Sequence, residues 1–101
     1  MKCLSLIVNG STKNEIVELL QGLNEVSAYT VFHGEGHYRG DIQPFESARD
    51  EVMGYVPRIR IDLFVGDADV PKVVDSIRQC SACTARRGIY WTSTVDAMGE
   101  L

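Results

Sequence analysis

Long apolar runs, abundant cysteine and an excess of positive charge are all missing from this 101-residue sequence. No stretch approaches the roughly 18 to 20 apolar residues of a membrane-spanning helix, so we expect no direct membrane insertion. Ten lysines and arginines against 14 acidic residues give a formal net charge of −4, which argues against binding to nucleic-acid phosphates. Three cysteines are too few for a secreted disulfide scaffold, so a cytoplasmic location is expected.

Catalytic motifs are missing as well. A nucleophile needs a base within hydrogen-bond reach and a third group that orients the base. The two histidines, His33 and His37, both lie beside glycines, and neither a Gly-x-Ser-x-Gly elbow nor an HExxH helix occurs. We therefore predict that the protein is not an enzyme.

The secondary-structure signals follow the order strand, helix, strand, long loop, strand, helix, strand in a single domain, residues 1–101. Strands are predicted over residues 3–8, 27–32, 58–65 and 88–95 from alternation and from β-branched and aromatic content. One helix should begin with a capping box of Thr12 and Glu15, and the other with a cap from Asp67 or Asp69 and Pro71 in its first turn. Each helix has one apolar stripe, made of Ile16, Leu19, Leu20 and Leu23 in the first and Val70, Val73, Val74 and Ile77 in the second.

This order predicts an α+β fold, a ferredoxin-like βαββαβ sandwich with both helices on one face of an antiparallel sheet. The other face has no helix to cover it, yet it would carry Phe64 and either Tyr90 or Trp91. An apolar face of this kind usually has a partner, most simply another copy of the chain.

A glycine-rich stretch opens the long connection between the second and third strands. Gly34, Gly36 and Gly40 flank His37 and Arg39. This combination predicts irregular backbone, which is either a flexible hairpin tip or an anion nest formed by exposed amide donors. A second basic cluster, residues 86–88, precedes the last strand. The two clusters need not be close within one chain, but they could face each other across a cleft in a ring of subunits. A short helical turn is predicted within residues 46–53.

From His33 onward the chain resembles the PII signal-transduction proteins. Their pattern has a G-x-G-x-x-x-G segment, a long T-loop, a Leu-Pro-Lys strand start, and an acidic turn before a Val/Ile-rich helix. Gly34, Gly36 and Gly40 match the three glycines, residues 56–58 match the strand start, and residues 67–77 match the acidic turn and helix. The resemblance covers about residues 1–95 and puts the T-loop at about residues 34–56.

The resemblance implies a homotrimer that binds an adenine nucleotide in its intersubunit clefts and signals through the T-loop to a target protein, such as a membrane transporter or a carbon or nitrogen enzyme. ATP, ADP or AMP are the expected ligands, with bicarbonate as another small anion, and no cofactor is required. The ligand would favour one loop conformation by contacting it better than the others. The implied nucleotide- or anion-binding residues are Gly34, Gly36, His37, Arg58, Arg86, Arg87 and Gly88.

Several positions depart from the PII pattern. His37 stands where the family has a cation that helps hold phosphates, and Tyr38 stands where it has a glutamine involved in metal and 2-oxoglutarate binding, so 2-oxoglutarate sensing in the usual way is not expected. Arg86 and Arg87 replace part of a glycine-rich loop. Their guanidinium groups can still donate bidentate hydrogen bonds to phosphate, but the backbone amide donors of the glycine-rich loop are lost. Residues 40–53 contain no tyrosine, so T-loop uridylylation has no acceptor.

Cys80 and Cys83 form a C-x-x-C pair directly before the second basic cluster. The spacing is compatible with reduced thiols, with a redox-active disulfide, or with two thiolate ligands of a soft metal. His33 and His37 are either surface histidines or, with the two cysteines, the ligands of a metal-binding or metal-sensing trimer similar to CutA proteins. A metal-handling module and a redox-responsive switch are thus the alternatives to nucleotide signalling.

Overall fold

Four stretches of alternating or β-branched residues form one antiparallel sheet in the computed structural model, which describes residues 1–39, 45, 47–84 and 87–101. The strands are β1 (Lys2–Asn9), β2 (Tyr29–Gly36), β3 (Val56–Val65) and β4 (Ile89–Thr94), in the order β2-β3-β1-β4. The helices are α1 (Lys13–Gln21), α2 (Ala48–Met53) and α3 (Val70–Gln79). This architecture is compatible with the predicted ferredoxin-like fold.

The core lies between one face of the sheet and helices α1 and α3. Alternation in β3 puts Ile59, Ile61 and Leu63 on the buried face, as predicted. The helices contribute Ile16 and Leu20 from α1 and three residues of α3 to the same cluster, so the predicted apolar stripes are confirmed. Among the described residues, no helix is long and apolar enough to cross a membrane.

Strand β2 differs from the prediction at both ends. It begins at Tyr29 and continues to Gly36, so the stretch expected to be irregular from His33 onward is strand as far as Gly36. Gly34 pairs with Arg58 and Gly36 pairs with Val56 in the antiparallel ladder, and neither glycine has a positive φ. The partner strand therefore holds these glycines extended, which their local sequence does not indicate. Strand β4, in contrast, is one residue shorter than predicted at each end.

Thr12 and Asp69 occupy the N-cap positions of α1 and α3, as predicted, but neither side chain makes a capping hydrogen bond. A 3₁₀ turn (Gly10–Thr12) precedes α1, and the side chain of Asn9 caps this turn by accepting a hydrogen bond from the Ser11 amide at 2.9 Å. Thr12 donates its hydroxyl to the Asn9 carbonyl instead of capping α1. A second 3₁₀ turn (Asp67–Asp69) precedes α3, and neither acid caps it with its side chain. The 3₁₀ turns thus leave the cap positions in place but without side-chain caps, and Pro71 lies in the first turn of α3.

Candidate functional site

Arg58 connects the two basic, glycine-containing clusters within one chain. It lies in β3, opposite Gly34 of β2 on one side and Asn9 of β1 on the other. Its Nη1 donates a hydrogen bond to the carbonyl oxygen of Arg87 at 3.1 Å. The guanidinium group therefore lies near the start of β3, beside the residues that lead into β4.

Two glycines allow the close approach that this arrangement requires. A Cβ atom at Gly36 would lie 2.7 Å from Cγ of Arg58, so the arginine stem passes over the glycine. A Cβ atom at Gly88 would lie 2.9 Å from Cγ1 of Val8 and 3.2 Å from the carbonyl oxygen of Ile7. At Gly34 a Cβ atom would meet nothing within 4 Å, so packing explains Gly36 and Gly88 but not Gly34.

A cavity of about 500 Å³ lies beside Arg58. Helix α2 and the ends of β2 and β3 form its walls, and its volume is within the 300 to 1,000 Å³ that is typical of ligand pockets. The polar lining comprises His33, Glu35, Arg49, Asp50, Tyr55 and Arg58. Two arginines can bind an anionic group, while carboxylates can accept hydrogen bonds from hydroxyl or amino groups. The cavity therefore suits a ligand with both kinds of group.

His37 lies at the end of β2 with its own partners. Its Nε2 is 3.0 Å from Oε1 of Glu35, and both side chains are exposed. Its ring centroid is 6.1 Å from that of Tyr55, which lines the cavity. His37 is therefore next to the cavity and engages one of the cavity's two carboxylates.

Parts of the predicted T-loop and basic cluster lie outside the described residues. These parts are residues 40–44 and 46, which include Gly40 of the predicted T-loop, and residues 85 and 86, which include Arg86 of the basic cluster. Of the remaining 34–56 segment, residues 34–36 complete β2, residues 48–53 form α2, and residue 56 begins β3. The short helical turn predicted within residues 46–53 is thus confirmed as α2.

Arg49 and Tyr55 line the cavity although no sequence pattern singles them out. Ser47 caps α2 by accepting a hydrogen bond from the Asp50 amide at 3.1 Å, and Gly54 ends the helix with a φ of 79°. This start puts Arg49 on the same side of α2 as Met53, four residues later, which also lines the cavity. The sequence signal for this helix is a capping serine, Ser47, followed seven residues later by Gly54; the signal could have positioned Arg49 inside the helix and Tyr55 directly after it.

Cys80 and Cys83 are joined by a disulfide at the end of α3. They are not near the histidines of the alternative metal site, because His33 lies in the edge strand β2 whereas Cys83 packs beside β1 and β4 at the other side of the sheet. Within the described ranges, no group of three or more His, Cys, Asp or Glu side chains could hold a metal ion. One chain therefore does not assemble His33, His37, Cys80 and Cys83 into one site.

The helix-free face of the sheet is apolar around an ion pair. Phe32, Phe64 and Ile89 are 50%, 43% and 61% exposed on this face. Trp91 is also on it, whereas Tyr90 is opposite Leu6 on the helix side, which decides between the two predicted aromatics. The face is therefore a candidate protein contact surface.

At the centre of this face, Arg60 donates to Asp62 at 2.9 Å and lies 5.2 Å from the ring centroid of Trp91. The hydrogen bond to Asp62 raises the pKa of Arg60. Partial burial alone would raise the pKa of Asp62, but hydrogen bonds from Arg60 and Ser5 outweigh it and lower that pKa. The cluster is therefore charged and hydrogen-bonded at neutral pH.

Comparison with known proteins places the whole chain in one family. A crystal structure of a DUF3240 family protein from Shewanella baltica OS155 is similar, with a TM-score of 0.77 and 19% sequence identity over 99% of this chain and 94% of that chain. At that identity the likeness shows a shared fold. The family described as "Protein of unknown function (DUF3240)" matches residues 1–101. The chain therefore belongs to the DUF3240 family.

Proposed function

We propose that this DUF3240 protein is a PII-like regulatory protein that binds an adenine nucleotide, or a similar small anion such as bicarbonate, at the Arg58 cavity. The observation that carries the proposal is the position of Arg58, whose stem lies against Gly36 and whose guanidinium bonds to Arg87. Both partners belong to the glycine and arginine positions that the PII resemblance implies for ligand binding.

The chemistry of the cavity supports a phosphorylated nucleoside. Arg58 and Arg49 can offer forked donors to phosphate oxygens. Asp50 and Glu35 can accept hydrogen bonds from ribose hydroxyls or an amino group, in the manner that acidic residues hold ribose in other nucleotide sites. Glu35 is also bonded to His37, which reduces the negative charge that it presents to an anion.

Assembly through the helix-free face completes the proposal. Exposed Phe32, Phe64 and Ile89 surround the Arg60–Asp62 pair, and such a surface suits a ring contact with further copies of the chain. A homotrimer would bring a second chain to each cavity. The segment 34–56 would then contact a target protein, such as a transporter or a metabolic enzyme, in a conformation that the ligand selects.

Calorimetry with ATP, ADP, AMP, cyclic AMP and bicarbonate tests the binding site. We expect micromolar binding of at least one nucleotide, weakened by about tenfold or more in Arg58→Ala because a hydrogen bond to a charged group contributes about 1.5–3 kcal/mol. Lys72→Ala is the matched control, since it removes one positive charge from α3, where Lys72 is exposed and pairs only with nearby Asp69 among the described residues. Equal loss in both variants, or no binding to the wild type, contradicts the proposal.

Light scattering tests the assembly. We expect a trimer for the wild type and smaller species for Phe64→Ser. Val52→Ser is the control, because Val52 is 87% exposed on α2 and lies away from the helix-free face. A monomeric wild type would exclude the trimer.

Zinc titration in the same series tests the metal-handling alternative. Tight zinc binding that is lost in His37→Ala, without any nucleotide binding, would favour a metal-binding CutA-like trimer over nucleotide signalling.

A further inference from the structure

We propose that Cys80 and Cys83 form a thiol–disulfide exchange site in which a dithiol partner attacks Cys80, and that this exchange regulates the anion site. The disulfide joins a half-buried Cys80 to Cys83, which is 1% exposed and part of the hydrophobic core. Cys80 is thus the more exposed of the two cysteines, and we expect an incoming thiolate to reach its sulfur first. The regulatory half of this inference rests on the proposed function, whereas the exchange itself does not.

The reaction balances with a dithiol as the reductant. Its first thiolate attacks Sγ of Cys80, the Cys80–Cys83 bond breaks, and the electron pair passes to Sγ of Cys83, which takes up a proton. The second thiolate of the partner then attacks the mixed disulfide and releases Cys80, which is protonated in turn. The protein gains two electrons and two protons, and the dithiol leaves as its own disulfide.

The surroundings of the two cysteines favour the disulfide over free thiolates. They also make a dithiol a better reductant than a monothiol. Cys83 packs beside Leu6, Val74 and Ile77, where burial disfavours a thiolate. Cys80 follows the last residue of α3, and the negative end of the helix dipole also disfavours a thiolate there. The Cys83 amide does donate to Sγ of Cys80 at 3.2 Å, which favours a thiolate at Cys80 but not at Cys83. The buried Cys83 is therefore the poorer leaving group, and a partner that resolves its own mixed disulfide drives reduction better than a monothiol.

The disulfide closes the turn that leads to the anion site. The amides of Cys83 and Thr84 donate to the carbonyl of Cys80 at 3.0 and 3.2 Å, and the Thr84 hydroxyl donates to the same oxygen at 3.2 Å. Three residues after Thr84, the carbonyl of Arg87 accepts the hydrogen bond from Arg58. Loss of the covalent link removes a constraint on the turn from Cys80 to Thr84, so we expect the Arg87 contact with Arg58 to be held less firmly.

Thiol labelling tests the exchange site. In Cys83→Ser, we expect Cys80 to react with 5,5′-dithiobis(2-nitrobenzoate) at least about tenfold faster than Cys83 reacts in Cys80→Ser, since reactivity follows exposure. Peptide mapping separates both from Cys3, and circular dichroism checks that each variant is folded. On the unmutated protein, acid quenching during treatment with a monothiol should trap the mixed disulfide on Cys80. Equal labelling rates, a mixed disulfide on Cys83, or three free thiols in the aerobically purified native protein would overturn the assignment.

Calorimetry with ATP on oxidised and dithiothreitol-reduced wild type tests the regulation. We expect reduction to weaken ATP binding by about fivefold or more, the lower end of common coupling between sites. The double variant Cys80→Ser/Cys83→Ser must show one affinity with or without reductant. Equal affinity in the two wild-type states overturns the regulatory half. If the oxidised protein binds none of ATP, ADP, AMP, cyclic AMP and bicarbonate, the proposed function fails, whereas the labelling result still decides the exchange site.

Discussion

Two glycines on the same face of β2 offer an internal test of the Arg58 site. A Cβ atom at Gly36 would be 2.7 Å from Cγ and 3.2 Å from Cδ of Arg58, and 3.2 Å from the carbonyl oxygen of Val56. A Cβ atom at Gly34 would meet nothing within 4 Å. Gly36→Ala must therefore move the Arg58 stem, and Gly34→Ala must not.

Replacing either glycine by alanine changes stability through the entropy of the unfolded chain, and at Gly36 through overpacking as well. Neither glycine has a positive φ, so alanine at either position should stabilise by about 0.4–1 kcal/mol through the unfolded chain. At Gly36 this gain is opposed by overpacking, which costs about 1–3 kcal/mol, near the lower end because an arginine stem can shift. We expect Gly36→Ala to be about 1–2 kcal/mol less stable than Gly34→Ala.

Thermal unfolding and calorimetry measure the difference. For a domain of this size, 1 kcal/mol corresponds to about 4–8 °C in Tm, so Gly36→Ala should melt at least about 4 °C below Gly34→Ala. Nucleotide affinity should fall further in Gly36→Ala than in Gly34→Ala, because only the first substitution displaces Arg58. Equal melting temperatures would refute the close-contact argument, and equal affinities would refute the role of the Arg58 position in binding.

Three further predictions concern stability. The pKa of Asp62 is lowered in the folded state, so its contribution to the free energy of unfolding is present above the ordinary carboxyl pKa of about 4 and is lost as the pH falls through the lowered value. The difference in urea stability between wild type and Asp62→Asn should therefore shrink at acid pH. A difference that stays constant with pH contradicts this. Leu63→Ala, at a fully buried site, should cost about 2–5 kcal/mol, whereas exposed Val52→Ala should cost below about 0.5 kcal/mol; similar urea midpoints would contradict the core assignment. Gly54→Ala should cost about 1 kcal/mol because Gly54 has a φ of 79°, and an unchanged melting temperature would argue against that backbone conformation.

The sequence indicates the residue types of the candidate site but not the contacts between distant segments that assemble it. The basic residues Arg58 and Arg87 are both visible in the sequence, but their hydrogen bond joins positions 29 residues apart. Arg49 enters the cavity wall only because α2 is positioned beside the ends of β2 and β3. The candidate site was therefore predictable as residue types and not as a cavity.

Local periodicity determined the faces of β3 and the apolar stripes of α1 and α3, because side-chain direction repeats with the backbone geometry of a single element. Tertiary structure alone decided that β2 runs through Gly34 and Gly36, since hydrogen bonds from β3 hold those residues extended. It also decided that Trp91 and not Tyr90 lies on the helix-free face, because strand register depends on the pairing of β4 with β1.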